Sequence, residues 1–422
     1  MRVGVLITTL CVTGAYAADL PKVLSLDEAI RLAIERNPLI QAARSEIVMS
    51  EGDMVTASKR LNPAFTFQSA NYPYFQSNGG PFFSNQELTA RVDYEIQTRG
   101  RRKLRTEAAR RAVEAQKSLY EDRVRQLRLE VQRAYYQVVL ARSNLKVAKA
   151  VLGQTDQVIE LNRVRYRQGE ISELELTRVE VERLRFVDDV FQSELALKNA
   201  KATLLALLNA DDLGADFDVI GELPVSDPTK EIGVPWRADL SELRRIAFEN
   251  RADLRAAIEQ ERRADTQTRL QRAIRSPNVT VGAGYRRDGP VNSMIFGVTV
   301  PLRIFNRNQG GILRADAERR RAASLAAAVR KQIELELQRA WNAVEINRKR
   351  VEYIEKQQLR KAEEASTVTM AAYRLGGAPL MDLLDAQRRY RETVRIYNQA
   401  LYDERISLYE LAGVLGIGTG DR

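Results

Sequence analysis

Apolar residues recur every three or four positions along the stretch 101–166, which contains no proline and only one glycine. The steps of four and three residues are typical of a helix that packs along a left-handed coiled-coil seam. About 65 residues at about 1.5 Å each would make a rod on the order of 100 Å long. The positions that carry this pattern are Leu127, Val131, Ala134, Val138, Ala141, Leu145, Ala148 and Leu152.

A second stretch, 311–373, repeats the rhythm, and the letters LEVQRA at 129–134 reappear as LELQRA at 335–340. Shorter helices are predicted around these two. One begins after Ser25 in capping-box style, breaks at Asn37-Pro38 and resumes to about Lys59. Return helices are predicted at about 173–208 and 380–415.

A period of two replaces this pattern at Glu87–Ile96, where apolar residues occupy every second position. The alternation predicts a strand with one apolar and one charged face, and Ala64–Tyr72 reads as its partner. A second hairpin is predicted around the turn Asp288-Gly289-Pro290. Strands of about 9 to 11 residues have the length of tilted transmembrane β-strands.

The pattern of helix, hairpin, long helix, turn and return helix occurs twice, which predicts two internal repeats. Residues 1–17 read as a signal peptide with Arg2, an apolar stretch and the cleavage site Ala15-Tyr16-Ala17. The first repeat is placed at 18–209, with its hairpin at about 64–97, and a linker with little regular structure at 210–240. The second repeat covers 241–416, with its hairpin at about 278–302, and 417–422 form a C-terminal tail.

The composition excludes several kinds of catalysis. The chain has no histidine, and its single cysteine, Cys11, lies inside the predicted signal peptide. Ser-His-Asp and Cys-His mechanisms are therefore unavailable, and no enzyme activity, cofactor or metal site is predicted. A carboxylate-based hydrolase would need a globular domain that the pattern does not provide. The net charge of +10 is spread among charges of both signs, which favours contact with outer-membrane lipid over nucleic acid.

Four strands with one lipid-type face cannot close a barrel, and open sheet edges are not tolerated in hydrocarbon. Since the smallest transmembrane barrels have eight strands, at least two copies are needed. The predicted fold is mainly α with a membrane β-barrel. Long antiparallel α-helices would form a coiled-coil barrel, and the four β-strands per chain would close as a 12-stranded trimeric barrel. A periplasmic coiled-coil scaffold without a channel is the rival interpretation.

The duplicated plan, the two Tyr-Arg-x-Gly turns and Asp382-Leu383-Leu384-Asp385-Ala386 resemble the TolC family of outer-membrane efflux factors. The length and the absence of a lipid-anchor motif resemble its heavy-metal, CzcC-like branch. The resemblance implies a homotrimeric exit duct in a Gram-negative outer membrane with a large periplasmic portion. It also implies a periplasmic adaptor and an inner-membrane RND-type pump as partners. Divalent metal cations are one class of substrate, and multidrug efflux and type I protein secretion stay open.

The same resemblance implies the roles of individual residues. Acidic residues that ring the periplasmic mouth correspond to Asp382 and Asp385, and Tyr373 corresponds to a tyrosine of the network that closes it. The arginine partner would fall at Ala378, so that link is absent. Glu173 and Glu175 occupy the equivalent turn of the first half and would extend the acidic ring. The residues expected at the adaptor-docking turns are Tyr166, Arg167, Gly169, Arg374 and Gly376, the two glycines as C-caps.

A basic cluster opens the first long helix, where cations oppose the helix dipole. Local stability therefore does not explain it, and contact with lipid phosphates and simple solvation are both compatible with it. Its members are Arg99, Arg101, Arg102, Lys103 and Arg105.

Tyr94, Tyr285 and Phe305 are candidates for aromatic girdles at the membrane interfaces. Phe82 and Phe83 lie in the loop of the first hairpin.

Overall fold

A computed structural model describes residues 21–71, 86–223 and 238–417. The predicted signal peptide, Phe82, Phe83 and the tail from residue 418 lie outside the described residues. The helices are α1 (Leu26–Arg36), α2 (Pro38–Ser58), α3 (Arg101–Arg167), α4 (Glu173–Leu207), α5 (Leu240–Asn250), α6 (Ala252–Ile274), α7 (Gln309–Tyr353), α8 (Arg360–Arg374) and α9 (Leu380–Leu415). The strands are β1 (Val23–Leu24), β2 (Ala64–Ala70), β3 (Glu87–Ile96), β4 (Asp218–Val219), β5 (Val279–Asp288) and β6 (Val291–Thr299).

Side-chain caps define where the first helices begin. The Ser25 hydroxyl accepts a hydrogen bond from the Glu28 backbone N–H, and the Glu28 carboxylate accepts one from the Ser25 N–H. The Asn37 side chain accepts a hydrogen bond from the Leu39 N–H, and Pro38 occupies the first turn of α2. Each cap satisfies backbone donors that the first helical turn leaves without partners. Within the described ranges, no helix combines the length and the apolar character needed to cross a membrane.

The second long helix differs from the expectation of one uniform helix over 311–373. A six-residue π-helix, Ile354–Leu359, separates α7 from α8, whereas α3 is α-helical over all of its 67 residues. A π-helical turn holds an extra residue compared with an α-helical turn, and the heptad rhythm of the apolar positions does not signal it.

Four strands form one antiparallel sheet in the order β2-β3-β5-β6. The register brings Phe67 opposite Ala90, Ala90 opposite Tyr285 and Tyr285 opposite Met294, all on one face. That face is apolar over most of its area and much of it is exposed; Phe296, for example, is 80% exposed. Its apolar residues are Phe65, Phe67, Leu88, Ala90, Val92, Tyr94, Ile96, Val279, Val281, Ala283, Tyr285, Met294, Phe296 and Val298.

The opposite face of the sheet carries an ion pair laid over glycines. The Arg91 Nε atom lies 2.8 Å from Asp93 Oδ1. A Cβ atom at Gly282 or Gly297 would come within 3 Å of the Arg91 guanidinium, and one at Gly284 would come within 3 Å of the backbone of Ala90 and Arg91. The absence of side chains at these three positions therefore lets the Arg91 side chain lie flat on the sheet.

The segment predicted as a linker with little regular structure contains strand β4, which pairs in parallel with β1. The Tyr135 hydroxyl on α3 lies within hydrogen-bonding distance of the carbonyl oxygens of Leu24 and Ile220, at 3.0 and 2.6 Å. Burial raises the pKa of Tyr135, so its hydroxyl stays protonated. A short pairing of this kind has no periodic signal, because two residues cannot show an alternation.

Contacts divide the described chain into two compact units. The strand unit comprises 34–71, 86–129, 238–352 and 403–417, and its core packs residues of α5, α6, α7 and α9, including Leu243, Leu254, Leu337 and Leu408. The turn unit comprises 21–33, 130–223 and 353–402. Its core includes Val158 of α3, Val179 of α4, Tyr373 of α8 and Leu383 of α9.

Two members of the basic cluster have a structural role that the sequence did not reveal. The Arg101 guanidinium donates to the carbonyl oxygens of Ala273 and Ile274 at the end of α6, at 3.3 and 3.2 Å. The Arg105 guanidinium donates to those of Ala57 and Lys59 at the end of α2, both at 3.0 Å. The last carbonyls of a helix have no partners within it, so these arginines cap two neighbouring helices. Contacts with neighbouring helices, which the sequence analysis did not consider, therefore account for these two residues.

Candidate functional site

Two helix ends in the turn unit share one cap geometry. Gly169 after α3 and Gly376 after α8 both have positive φ, at 77° and 76°. The Glu170 N–H bonds to the Arg165 carbonyl at 2.9 Å, and the Gly377 N–H bonds to the Ala372 carbonyl at 2.8 Å. These are Schellman caps, in which glycine occupies the left-handed position without a Cβ penalty. They fix how each chain reversal leaves its long helix.

Arg165 joins the two turns. Its Nη2 atom lies 3.0 Å from the Arg374 carbonyl oxygen and 3.3 Å from the Tyr373 carbonyl oxygen, at the C-terminal end of α8. Its guanidinium also lies over the Tyr373 ring, 5.2 Å from the ring centroid. A cation at a helix C-terminus is favoured by the helix dipole, and a cation over an aromatic face is favoured by the ring quadrupole. Arg165 therefore holds α8 against α3 through three contacts.

Tyr373 is buried, and its hydroxyl hydrogen-bonds to the Asn162 side-chain oxygen on α3. Burial raises the pKa of Tyr373, while the charge of Arg165 acts in the opposite direction. The raised pKa of Tyr373 is consistent with a protonated hydroxyl that donates to Asn162 at neutral pH. Asn162 itself is fully buried, and its Nδ2 atom has no hydrogen-bond partner among the residues that the structure describes.

The acidic residues near these turns differ in their ion pairing and in their exposure. Asp385 pairs with Arg388 at 2.9 Å, and Arg388 also binds the mostly buried Glu182 at 3.0 Å. The hydrogen bond with Glu182 is the main cause of the raised pKa of Arg388. Asp382 and Glu173 are exposed, whereas Glu175 is half-buried in the first turn of α4, where Ser172 is the N-cap.

The structure thus brings Tyr373 to residues that the sequence analysis did not single out, Asn162 and Arg165. No arginine stands at Ala378, as the sequence shows, and the cation beside Tyr373 comes from α3 instead. Arg388 and Glu182 were also missed. Their spacing carries a weak signal for one contact, since Asp385 and Arg388 are three residues apart on one helix face. The remaining contacts join different helices and leave no pattern in the sequence.

The turn residues expected to dock an adaptor lie at these two chain reversals. All three side chains, of Tyr166, Arg167 and Arg374, are exposed. The Arg167 side chain donates to the Arg163 carbonyl of its own helix at 3.3 Å. In the part of the chain that the structure describes, no group of three or more Cys, His, Asp or Glu side chains is arranged to hold a metal ion. The arrangement can therefore hold two helix ends together and present carboxylates, but it offers no ligand cage.

The sequence profile described as "Outer membrane efflux protein" matches residues 29–210 and 243–417. The chain belongs to the outer membrane efflux protein family. This efflux protein is accordingly a channel of the Gram-negative outer membrane with a large periplasmic portion. The two matched ranges contain α3, α4, α7, α8 and α9, and both turns described above.

Named relatives agree with the family. The cobalt-zinc-cadmium resistance protein CzcC of Cupriavidus metallidurans is 25% identical over 368 residues, which cover 86% of this chain and 83% of CzcC. Among solved structures, CusC has a TM-score of 0.78 at 17% identity, covering 93% of this chain and 92% of CusC. The outer membrane protein VceC of Vibrio cholerae has a TM-score of 0.75 at 19% identity, covering 94% and 97%. The efflux protein therefore shares its mainly helical fold with TolC-family channels.

Proposed function

We propose that three copies of this chain close one twelve-stranded barrel and one helical barrel, and so form the exit duct of a tripartite efflux system. The observation that carries the proposal is the four-stranded sheet. One of its faces is apolar and exposed. Among the described strands, β2 and β6 form its two edges, each paired on one side. In hydrocarbon each backbone group without a hydrogen bond costs at least about 2 kcal/mol of free energy. Pairing of β6 with β2 of the next copy would remove every edge.

The return helix α4 supports the same arrangement. It exposes large apolar side chains at heptad-like spacing, which a single chain leaves in water. Such a seam is stabilised when it packs against a neighbouring helix, and a ring of copies supplies one. Its members are Leu174, Val181, Leu184, Phe191 and Leu195.

The repeats remain part of this proposal. We place the first at 18–209 and the second at 241–416, joined by 210–240, with a cleaved segment at 1–17 and a tail at 417–422. Each repeat would then supply one hairpin to the barrel and one pair of long antiparallel helices to the periplasmic wall. In three copies this makes two quasi-equivalent turns per chain around the mouth.

Divalent metal cations are the proposed cargo, because the name of the relative CzcC refers to cobalt, zinc and cadmium. The chain has no histidine and its only cysteine is Cys11, so it offers few soft ligands and would conduct ions without binding them tightly. A periplasmic adaptor would contact the turns around Gly169 and Gly376. An inner-membrane RND-type pump would select the cargo and supply the energy.

The trimer is tested on protein extracted from outer membranes. We expect a mass of three chains in detergent, a band that dissociates on heating, and ion conductance in planar bilayers. Phe67→Lys places a charge on the apolar face and should weaken the assembly by up to about 2–4 kcal/mol if that face meets lipid. Gln68→Lys, on the other face, is the matched control. A stable monomer in the aqueous fraction, without conductance, would contradict the proposal.

The carboxylates at the turns are tested separately. Asp385 is paired with Arg388, whereas Asp382 is exposed, so Asp382 would contribute more to a ring of negative charge. We expect Asp382→Asn to reduce cation selectivity and block by divalent ions more than Asp385→Asn does. Reversal potentials in asymmetric salt measure the selectivity. If the current traces of both variants and the parent are identical, Asp382 does not line the periplasmic mouth.

A further inference from the structure

A groove of about 540 Å³ lies beside the beginning of α3 in the strand unit. It is lined by Ser58 at the end of α2 and by Arg102, Lys103, Thr106, Glu107 and Arg110 of α3. The groove lies where helices join strands, since β2 begins six residues after Ser58 and β3 ends six residues before Arg102.

The charges of the groove are not balanced within the described chain. Glu107, its one carboxylate, lies 3.6 Å from Arg269, which is not a lining residue. Among the described residues, no carboxylate pairs with Arg102, Lys103 or Arg110. Arg101 and Arg105, which alternate with them, are used as helix caps. Three cations of one groove are therefore available to an anion.

An exposed apolar loop emerges from the same end of the sheet. Thr299, the last residue of β6, pairs with Thr280, and the neighbouring Val279 pairs with Ile96 at the end of β3. The end of β6 thus lies two strand spacings from that of β3, about 10 Å. The loop that follows exposes Leu302, Ile304 and Phe305, at 81%, 61% and 91%.

We propose that this groove binds the phosphate group of an anionic phospholipid in the periplasmic leaflet, while the 302–305 loop inserts among the acyl chains. The proposal rests on the proposed function, because it needs the apolar sheet face to stand in the membrane. Charge complementarity favours a phosphate, and the adjoining apolar loop favours a phosphate that carries acyl chains over a free one. Interfacial apolar groups and headgroup-level cations are the two parts of such a site.

The test titrates the detergent-solubilised assembly with phosphatidylglycerol or phosphatidylcholine and counts bound lipids by native mass spectrometry. We expect preferential binding of phosphatidylglycerol. The variant Arg102→Gln, Lys103→Gln, Arg110→Gln should weaken it about a hundredfold, at roughly fivefold per charge. The control Arg319→Gln, Arg320→Gln, Arg321→Gln removes the same charge from exposed positions of α7 and should bind as the parent does.

Several results would overturn the proposal. Equal losses in both triple variants would indicate general electrostatic attraction, and no loss in either would leave the groove without a lipid. Dissociation of the groove variant into monomers would assign the groove to a contact between copies. Displacement of phosphatidylglycerol by equimolar inorganic phosphate would indicate an anion site without lipid selectivity.

The loop is tested by its own variants. Leu302→Ser and Phe305→Ser should weaken the binding of phosphatidylglycerol but leave the binding of inorganic phosphate unchanged.

The parent protein separates the failure of this proposal from that of the proposed function. If the parent neither assembles nor conducts, the channel assignment fails first. If parent and groove variant both assemble and conduct, but bind phosphatidylglycerol equally, only the lipid site is excluded.

Discussion

Arg165 is the residue on which the contact between the two turns depends. It reaches two carbonyl oxygens at the end of α8 and the face of Tyr373, while the hydroxyl of Tyr373 is held by Asn162. All of these contacts join α3 to α8. Breaking them would free the end of α8, and with it the chain reversal that leads into α9.

We expect Arg165→Gln to increase the frequency of channel opening by at least about tenfold. A desolvated cation–π contact contributes up to about 2 kcal/mol, and a charged hydrogen bond a similar amount. Single-channel recordings would measure the change. Arg167→Gln is the matched control, because that side chain bonds to its own helix. If both variants behave alike, Arg165 does not restrain the turn.

The sequence located part of this site. The Tyr-Arg-x-Gly letters placed Tyr373 at a helix end, and the cap glycines follow from the rule that only glycine enters the left-handed region freely. Asn162 and Arg165 were not foreseen, because their approach to Tyr373 depends on the rotation and stagger of α3 against α8. A heptad pattern fixes which face of a helix packs, but not which polar side chain at the rim of that face meets which partner.

At the scale of elements, periodicity and capping residues predicted most of the boundaries of helices and strands. The alternation at 87–96 matches β3, and Ser172 begins α4 because its side chain accepts a hydrogen bond from the Glu175 N–H. The π-helix was missed. The sequence does show it as a difference in spacing between matched motifs of the two halves. Ala134 and Tyr166 are 32 residues apart, whereas Ala340 and Tyr373 are 33 residues apart. One extra residue between matched motifs is what a π-helical turn absorbs.

We therefore expect deletion of Gln357, within the π-helix, to leave a regular α-helix and a stable assembly. The temperature at which the oligomer dissociates should change by no more than about 5 °C. Deletion of Ala150, at the corresponding position of α3, removes a residue from a regular α-helix, which has no π-helical turn to compensate for the loss. It would rotate the helix beyond it by about 100° and separate Asn162 and Arg165 from Tyr373. Comparable stability of the two deletions would contradict this interpretation.

At the scale of the whole molecule, the sequence predicted the parts better than their assembly. The exposed face of the sheet could be foreseen, because register follows from alternation once two strands are paired. The order β2-β3-β5-β6 could not, since the pairing of β3 with β5 joins residues nearly two hundred positions apart. The closed barrel that we propose needs further copies, and the sequence of one chain does not determine how many.

Arg91 offers a test of pore width in the barrel that we propose. A Cβ atom at Gly297 would meet only the flexible end of the Arg91 side chain, whereas one at Gly284 would meet backbone. Gly297→Ala should therefore lift the guanidinium from the sheet and lower single-channel conductance while the trimer persists. Gly284→Ala should instead reduce the yield of trimer, which a gel of unheated protein would show. Unchanged conductance in Gly297→Ala would mean that Arg91 does not border the pore.

If the proposed barrel forms, the flat arrangement of Arg91 over Gly282, Gly284 and Gly297 allows its width to change without a change in the number of its charges. A narrower pore with the same number of ionised residues would arise from one added methyl group per chain. Relatives that export cargo of different bulk could then differ at such bare positions rather than at the arginine itself.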